Sequence, residues 1–233
     1  MSVALIVLAL ASSPSLEGRW ARKTVNVATS KLPVIGSIEA ITTAYTLVDV
    51  RRTDRGYELT EYVCGLSTNT ARGAVTNNYS RAFLKAVSGR KKLVRVEGNR
   101  WLEDESEPRL HGARNVASSE PLPERNSPAL FDADFDGKPG LTVGVDGFVR
   151  GEVYIVERSQ SSMRGTIEDR RIFGTVDWTS EQRVLGASRD MLDVQPTAEP
   201  ANERSVFEMR RAPRKATCRQ LLARKDKLFE KTK

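Results

Sequence analysis

The chain has 233 residues, of which 39% are hydrophobic and 29% are charged, a composition that is typical of a soluble globular protein and excludes a disordered tail. The formal net charge is +7, but residues 204–233 contain eleven Lys or Arg and three Asp or Glu, so this segment carries +8 and the rest of the chain −1. The length fits one large domain, and the basic character belongs to the C-terminal segment.

The first eleven residues form an uncharged apolar segment, which ends at Ser12, Ser13 and Pro14. It has about half of the roughly 20 residues that a membrane-spanning helix needs. It is typical of a signal peptide with Ala9-Leu10-Ala11 as the cleavage site, although no Lys or Arg precedes it; a buried N-terminal strand or helix is the alternative. We therefore predict a signal peptide over residues 1–11, extending to about residue 15, and export to the periplasm or the extracellular space.

Three strands are predicted next, over residues 18–28, 38–50 and 57–64. The second is rich in Ile, Thr, Val and Tyr, and β-branched residues favour strands. A turn signal at Asp54-Arg55-Gly56 separates the second strand from the third, which predicts a hairpin. A short helix over residues 80–87 and a second hairpin over residues 92–102 follow.

Residues 104–129 are dominated by Pro, Ser, Glu, Arg and Asn, which predicts a long loop or lid. The strand pattern returns over residues 141–192. A motif of Gly, a polar residue and a β-branched residue recurs there, at Gly151, Gly165 and Gly174. Glycine within a strand relieves crowding and permits bending, so the repeat favours a barrel; three coincidental tetrapeptides are the alternative.

These patterns predict a mainly β protein with a single domain over residues 16–211. The expected architecture is an antiparallel up-and-down barrel or a strongly coiled sheet. A β-sandwich is the alternative, because many short strands with turns suit either architecture. Residues 212–233 are predicted to form a basic, amphipathic C-terminal helix.

The predicted C-terminal helix has an apolar stripe that contains Leu221, Leu222, Leu228 and Phe229, and its other face is cationic. The stripe can dock the helix on the barrel wall and leave the cations in solvent. Alternatively, cations and apolar side chains can together contact an anionic membrane or another envelope surface. Nucleic acid is a poorer candidate partner. An exported protein leaves the compartment that contains nucleic acid, and no aromatic residues are interleaved with the cations.

Residues 132–137 read Asp-Ala-Asp-Phe-Asp-Gly, which matches the first half of a calcium loop. The carboxylates of Asp132, Asp134 and Asp136 can converge on one hard cation, and Gly137 permits the sharp turn. The twelfth position is Val143, where an EF-hand has a bidentate Glu, so other oxygens, such as those of Asp146 or of loop carbonyls, would have to complete the site. The segment therefore predicts either a Ca²⁺ site or a polar turn between strands.

Cys64 and Cys218 are the two cysteines of the chain. In an oxidising compartment an even count predicts one disulfide bond. The bond would close a long loop in the unfolded chain, and the loop-entropy model predicts that this destabilises the unfolded state by about 4–5 kcal/mol. Two unrelated buried thiols are the alternative.

Catalytic residues are not recognisable in this sequence. His111 is the single histidine, and it lies in the predicted loop. No base neighbours either cysteine, and no Gly-rich phosphate loop is present. The sequence therefore favours a protein that is not an enzyme, with a hydrolase acting at an unrecognised site as an alternative.

Gly18-Arg19-Trp20, at the start of the first predicted strand, resembles the Gly-x-Trp motif of lipocalins and their calycin relatives. The cysteine spacing is similar to that family, which often links a strand in the middle of the barrel to the C-terminal region. Arg210 or Arg211, late in the last strand, matches the place where the family packs an Arg over that Trp. The resemblance implies an up-and-down barrel that binds a small hydrophobic ligand.

The resulting expectation is an exported β-barrel binding protein. Its candidate ligand-lining residues are the aromatic side chains Trp20, Tyr45, Tyr62, Tyr154 and Trp178. The alternative is a structural or interaction module of the cell envelope that uses the basic C-terminal helix.

Overall fold

A computed structural model describes residues 15–32, 36–70, 75–103 and 107–230. The predicted signal peptide, residues 1–11, lies outside the described residues. Within these ranges no helix has the length and apolar character to cross a membrane. The strands are β1 (Gly18–Leu32), β2 (Gly36–Thr53), β3 (Gly56–Thr70), β4 (Val75–Tyr79), β5 (Arg90–Glu97), β6 (Arg100–Glu103), β7 (Arg109–His111), β8 (Leu141–Gly147), β9 (Gly151–Glu168), β10 (Arg171–Ala187), β11 (Thr197–Pro200) and β12 (Val206–Arg211). The two α-helices are α1 (Arg81–Ala86) and α2 (Cys218–Leu228).

The strands form one antiparallel sheet that closes into a ring. Eight strands make the ring in the order β1, β2, β3, β5, β6, β9, β10 and β12, and β12 pairs again with β1. This confirms the prediction of a mainly β protein with a closed antiparallel sheet and a C-terminal helix, and it excludes the two separate sheets of a sandwich. Long strands dominate: β1 and β2 pair without interruption from Gly18 opposite Val50 to Leu32 opposite Gly36.

Strands β3 and β9 change partners along their length. The first half of β3 pairs with β5, and its second half pairs with β4. Along β9 the partners are β8, then β7, then β6. The wall between β3 and β9 is thus built from two short bridges, β5–β6 near one end of the barrel and β4–β8 near the other.

The glycine motif lies where the strands approach most closely. Gly165 on β9 is opposite Gly174 on β10. A Cβ atom on Gly174 would lie 2.0 Å from the carbonyl oxygen of Arg164, and one on Gly165 would lie 2.6 Å from that of Phe173. Only glycine fits this contact, which agrees with the role predicted for strand glycines in a curved sheet.

The segment between β7 and β8 has no helix and packs against the outside of the barrel. Leu122 is 2% exposed and belongs to an apolar cluster with Val156 and Leu185. Arg158 donates to the carbonyl oxygens of Ala117 and Glu120 at 3.1 and 2.8 Å. The loop predicted over residues 104–129 therefore contains the short strand β7 and is anchored by one buried leucine, because a single apolar side chain can fix an otherwise polar segment.

Candidate functional site

The interior of the barrel changes character along the strands. Residues opposite each other in an antiparallel ladder share a face, and successive side chains alternate between faces. Trp20 lies opposite Val48, and Ser161 lies opposite Trp178, so these side chains face inward. From one end to the other the interior has an apolar core, then a layer of charged side chains, then a polar region.

The apolar core fills one end of the barrel. Trp20 is 1% exposed, and its indole N–H donates to the carbonyl oxygen of Leu16 at 2.9 Å. The guanidinium of Arg211 lies 4.5 Å from the centre of the Trp20 ring and donates to the carbonyl oxygen of Glu17. Arg211, rather than Arg210, thus stacks on the tryptophan as the resemblance implies. Trp101, Ile172 and the other members of this cluster leave no exposed side chain here.

Four charged side chains form a layer next to the apolar core. We call Arg22, Glu61, Lys92 and Glu103 the charge layer; all four are buried. Arg22 bonds Glu61 and lies 3.3 Å from Glu103, and Lys92 donates to Glu103 at 2.6 Å. Two cations and two carboxylates balance, so the layer carries no net charge. Buried charges persist only when they are paired in this way.

The charge layer keeps the carboxylate of Glu61 ionised. Burial alone would raise the pKa of Glu61, but the positive charges of Arg22 and Lys92 outweigh it and lower the pKa to about 2. Glu61 therefore stays charged over the whole range in which the protein is expected to function.

Beyond the charge layer lies a region that we call the polar half. One part of its inward face has polar or aromatic side chains that are only half-buried: Asn26, Thr42, Thr68, Tyr79, Ser159, Ser161, Trp178 and Ser180. Another part of this half is apolar, with Leu141, Val143 and Ile155 packed around Phe83 of α1. Outside the cluster around Phe83, the inward side chains of this half are thus less completely buried than those of the apolar core.

Hydrogen bonds order the lining of the polar half. The Thr68 hydroxyl lies 2.9 Å from both the Thr42 hydroxyl and the Tyr79 hydroxyl. The ammonium of Lys92 donates to the Ser161 hydroxyl at 3.1 Å and so joins the charge layer to this lining. The side-chain oxygen of Asn26 is buried and accepts no hydrogen bond among the described residues. Hydrogen-bonding groups of this kind suit water or a polar ligand group.

Strand β7 adds titratable groups to the same inner face. Arg109 lies opposite Ser159, and His111 lies opposite Glu157. Burial, with the charges of Arg109 and Arg90, lowers the pKa of His111 to about 4, so the imidazole is neutral at physiological pH. Burial raises the pKa of Glu157, although its carboxylate accepts a 2.8 Å hydrogen bond from Ser180.

The five aromatic residues predicted to line a ligand site do not lie together. Trp20 is inside the apolar core, and Trp178 faces inward beside Ser161. Tyr45 lies on the outside beneath α2, with its ring centre 6.0 Å from that of Phe229. Tyr62 is 41% exposed, and Tyr154 packs against the outer loop segment.

The polar lining was missed from sequence, although a signal was present. Along β2, Val50 and Val48 share a face with Thr46, Ala44 and Thr42, so the inward face passes from apolar to polar within one strand. This change from apolar to polar can be recognised in the sequence only when it is known which alternate residues of the strand face inward. The ligand-site prediction named only aromatic residues, and residue type alone does not show whether a side chain faces the interior of the barrel.

The three predicted calcium ligands are close together at the start of β8. The carboxylate oxygens of Asp132, Asp134 and Asp136 lie within 4.8 Å of one another. Backbone N–H groups of Asp136 and Gly137 donate to Asp132 at 3.2 and 2.8 Å. The loop closes where Gly140 donates to the carbonyl oxygen of Phe131 at 2.9 Å.

Asp134 is the buried member of this group, with 2% of its surface exposed. One carboxylate oxygen accepts the N–H of Thr142 at 3.1 Å, and the other is buried without a hydrogen-bond partner in the described part of the chain. The Thr142 hydroxyl is likewise buried without a partner there. Burial raises the pKa of Asp134, and the neighbouring carboxylates add to that effect.

The disulfide prediction is confirmed: Cys64 and Cys218 are bonded across a sequence separation of 154. A bulge in β3 leaves Cys64 without an opposite residue on β2, between Val63 and Gly65. The bulge turns the cysteine outward toward α2. A Cβ atom on Gly65 would lie 2.9 Å from Leu222, so glycine permits the helix to approach the wall.

Helix α2 is docked through its apolar stripe. Leu221 and Phe229 are buried against Ala21 and Leu47 on the barrel wall. Thr217 and Gln220 form a capping box at its first turn. Its cations Arg219, Arg224 and Lys227 lie on the opposite side in solvent, and Arg214 and Lys215 are exposed in the segment that precedes the helix.

Comparisons with protein-family models, curated proteins and solved structures gave no match to this chain.

Proposed function

We propose that this chain is an exported β-barrel protein that binds a small ligand in the polar half of its interior. The contrast between the two halves of the barrel supports this proposal. Around Trp20 and Trp101 the interior is completely buried, whereas Thr42, Ser159 and Ser180 at the other end remain half-buried. Binding sites are concave regions with apolar walls and a few polar groups, and the polar half combines both.

The lining favours a ligand with both polar and apolar parts. The resemblance implies a hydrophobic ligand, and the rings of Trp178 and Tyr79 offer flat apolar surfaces to one. The hydroxyls of Thr42 and Ser159 and the unpaired oxygen of Asn26 would bind polar groups. A ligand without such groups would leave them desolvated and unpaired, which costs about 1–3 kcal/mol for each group. We therefore propose a small amphipathic molecule.

A bulky side chain that points into the polar half should displace this ligand. Ser159→Phe places a ring in the interior, and Ser162→Phe places the same ring on the outer face of the same strand, because alternate residues of β9 face opposite ways. Native mass spectrometry of protein isolated from its own cells should show a retained ligand mass on the wild type and on Ser162→Phe. We expect at least about tenfold less ligand on Ser159→Phe.

The melting temperature provides a second measurement on the same variants. A phenylalanine forced into a packed core costs about 1–3 kcal/mol, but in a hydrated space it should cost little. A large loss of stability in Ser159→Phe alone, or wild-type protein that retains no ligand, would contradict the proposal.

A second candidate function is attachment to an anionic envelope surface through α2. The exposed cations Arg214, Arg219 and Arg224 form no ion pair with any described residue. The apolar stripe is already packed on the barrel, so this contact would be electrostatic, without insertion of the helix. Each cation near an anionic leaflet contributes about 1 kcal/mol, and salt screens the effect.

Cosedimentation with phosphatidylcholine vesicles that contain phosphatidylglycerol tests this candidate. Wild-type protein should bind at low salt and dissociate at high salt. Neutralising Arg219, Arg224 and Lys227 to Gln should reduce binding about tenfold or more. Neutralising three exposed cations on the barrel, Arg150, Arg164 and Arg189, is the matched control; an equal loss in both variants would reject a specific role of α2.

A further inference from the structure

The loop between Phe131 and Thr142 contains a concentration of negative charge without a compensating cation. Three carboxylates lie within 4.8 Å of one another, and none forms an ion pair within the described ranges. The ammonium of Lys138, the one cation in the loop, lies 5.5 Å from the ring centre of Tyr154. Like charges at this distance repel each other, and a bound cation would relieve that repulsion.

The buried carboxylate of Asp134 indicates that a ligand belongs here. A polar turn on the surface would leave its aspartates in water, but Asp134 is 2% exposed. One of its carboxylate oxygens accepts the N–H of Thr142, and its other oxygen and the Thr142 hydroxyl are each buried without a hydrogen-bond partner among the described residues. A buried carboxylate oxygen without a partner is costly, and metal coordination is one of the few ways to satisfy it.

We propose that Asp132, Asp134 and Asp136 bind one calcium ion. Calcium accepts six to eight oxygen ligands in flexible geometry, and an all-carboxylate group matches this preference better than that of softer metals. In calcium loops the seventh position supplies a backbone carbonyl, and here that residue is Lys138. This proposal is independent of the proposed ligand in the barrel.

The affinity should be modest because the loop lacks the acidic residue at its twelfth position. Val143 occupies that place, and its side chain is buried in the apolar cluster around Leu141. Calcium sites with fewer charged ligands bind in the range of about 10⁻⁴–10⁻³ M, which is typical of extracellular modules. Such a site is loaded outside the cell and empty in the cytoplasm, so calcium binding would accompany export.

The ion would fasten the outer loop segment to the barrel. The backbone of Asp132 bridges to Gly140, and a Cβ atom on Gly140 would lie 2.1 Å from the carbonyl oxygen of Ile155 on β9. The loop therefore ends in direct contact with the barrel wall. Drawing the three carboxylates together would fix this contact and the segment that precedes it.

Calorimetric titration and thermal unfolding of the full chain with calcium chloride test the site. At about 5 mM calcium the melting temperature should rise by about 3–6 °C. Asp134→Asn should abolish the calcium response, and its melting temperature without calcium should equal or exceed that of the wild type, because the variant buries no uncompensated charge. Asp146→Asn removes an exposed carboxylate that pairs with Arg150 and should keep the full response.

Three results would overturn the site. They are no heat and no thermal shift in the wild type up to about 10 mM calcium, an equal loss of response in Asp134→Asn and Asp146→Asn, or an equal response to magnesium. If Asp134→Asn fails to fold, Asp136→Asn replaces it, because Asp136 is exposed and its substitution leaves the packing unchanged. Ligand retention in the barrel is a separate measurement, so failure of one proposal leaves the other intact.

Discussion

Replacing Arg22 with Met should lower the free energy of unfolding by about 3–5 kcal/mol, because the substitution leaves uncompensated carboxylates in the interior. Arg22 is 3% exposed and contacts both Glu61 and Glu103. Methionine has a similar shape, so the loss of charge dominates over the loss of packing. Chemical denaturation at neutral pH measures the effect, and the exposed Arg150→Met is the matched control, with an expected cost below about 1 kcal/mol.

The double variant Arg22→Met with Glu61→Leu distinguishes charge balance from packing. It removes one cation and one carboxylate and keeps the neutral pair of Lys92 and Glu103 at 2.6 Å. We expect the double variant to be more stable than Arg22→Met alone, a non-additivity typical of residues in one network. Additive losses would mean that the charge layer is not electrostatically coupled.

Replacing Cys64 and Cys218 with Ala should destabilise the protein by about 5 kcal/mol at most. The bond closes a loop with a sequence separation of 154, and the loop-entropy model gives this magnitude for such a loop. Thermal or denaturant unfolding, with the reduced wild type for comparison, measures the change.

Local loosening of α2 should accompany the loss of the disulfide. Without the bond the helix is held by Leu221, Phe229 and their contacts with β1 and β2. Protease should then cleave between β12 and α2 before the barrel unfolds. Cleavage elsewhere first, or no loss of stability, would show that packing alone holds the helix.

The charge layer explains why the two ends of the barrel differ. The ion pairs of Arg22 and Lys92 with Glu61 and Glu103 cross the interior at the border of the apolar core and link β1, β3, β5 and β6. On the side of the polar half, the Lys92 ammonium also donates a hydrogen bond to the Ser161 hydroxyl. A ligand in the polar half would thus lie next to a layer of side chains held in place by ion pairs, which favours pre-organised binding.

The sequence by itself determined the local features of this protein. β-branched segments, the strand glycines and the amphipathic stripe near the C-terminus predicted a mainly β fold with a C-terminal helix, and the structure confirms it. The even cysteine count predicted a bond between Cys64 and Cys218 for an oxidising compartment, with two separate thiols as the alternative, and the structure has the bond. These features depend on short-range periodicity and composition, which a sequence displays directly.

Only the tertiary structure decided which residues share an interior. Arg22, Glu61, Lys92 and Glu103 are far apart in sequence and meet because four strands place them at one level of the ring. Strand alternation puts Tyr45 and Thr42 of β2 on opposite faces, and closure of the ring decides that Thr42 is the inward one. Strand phase and register are set by long-range pairing, so a one-residue difference in register would have exchanged the two faces.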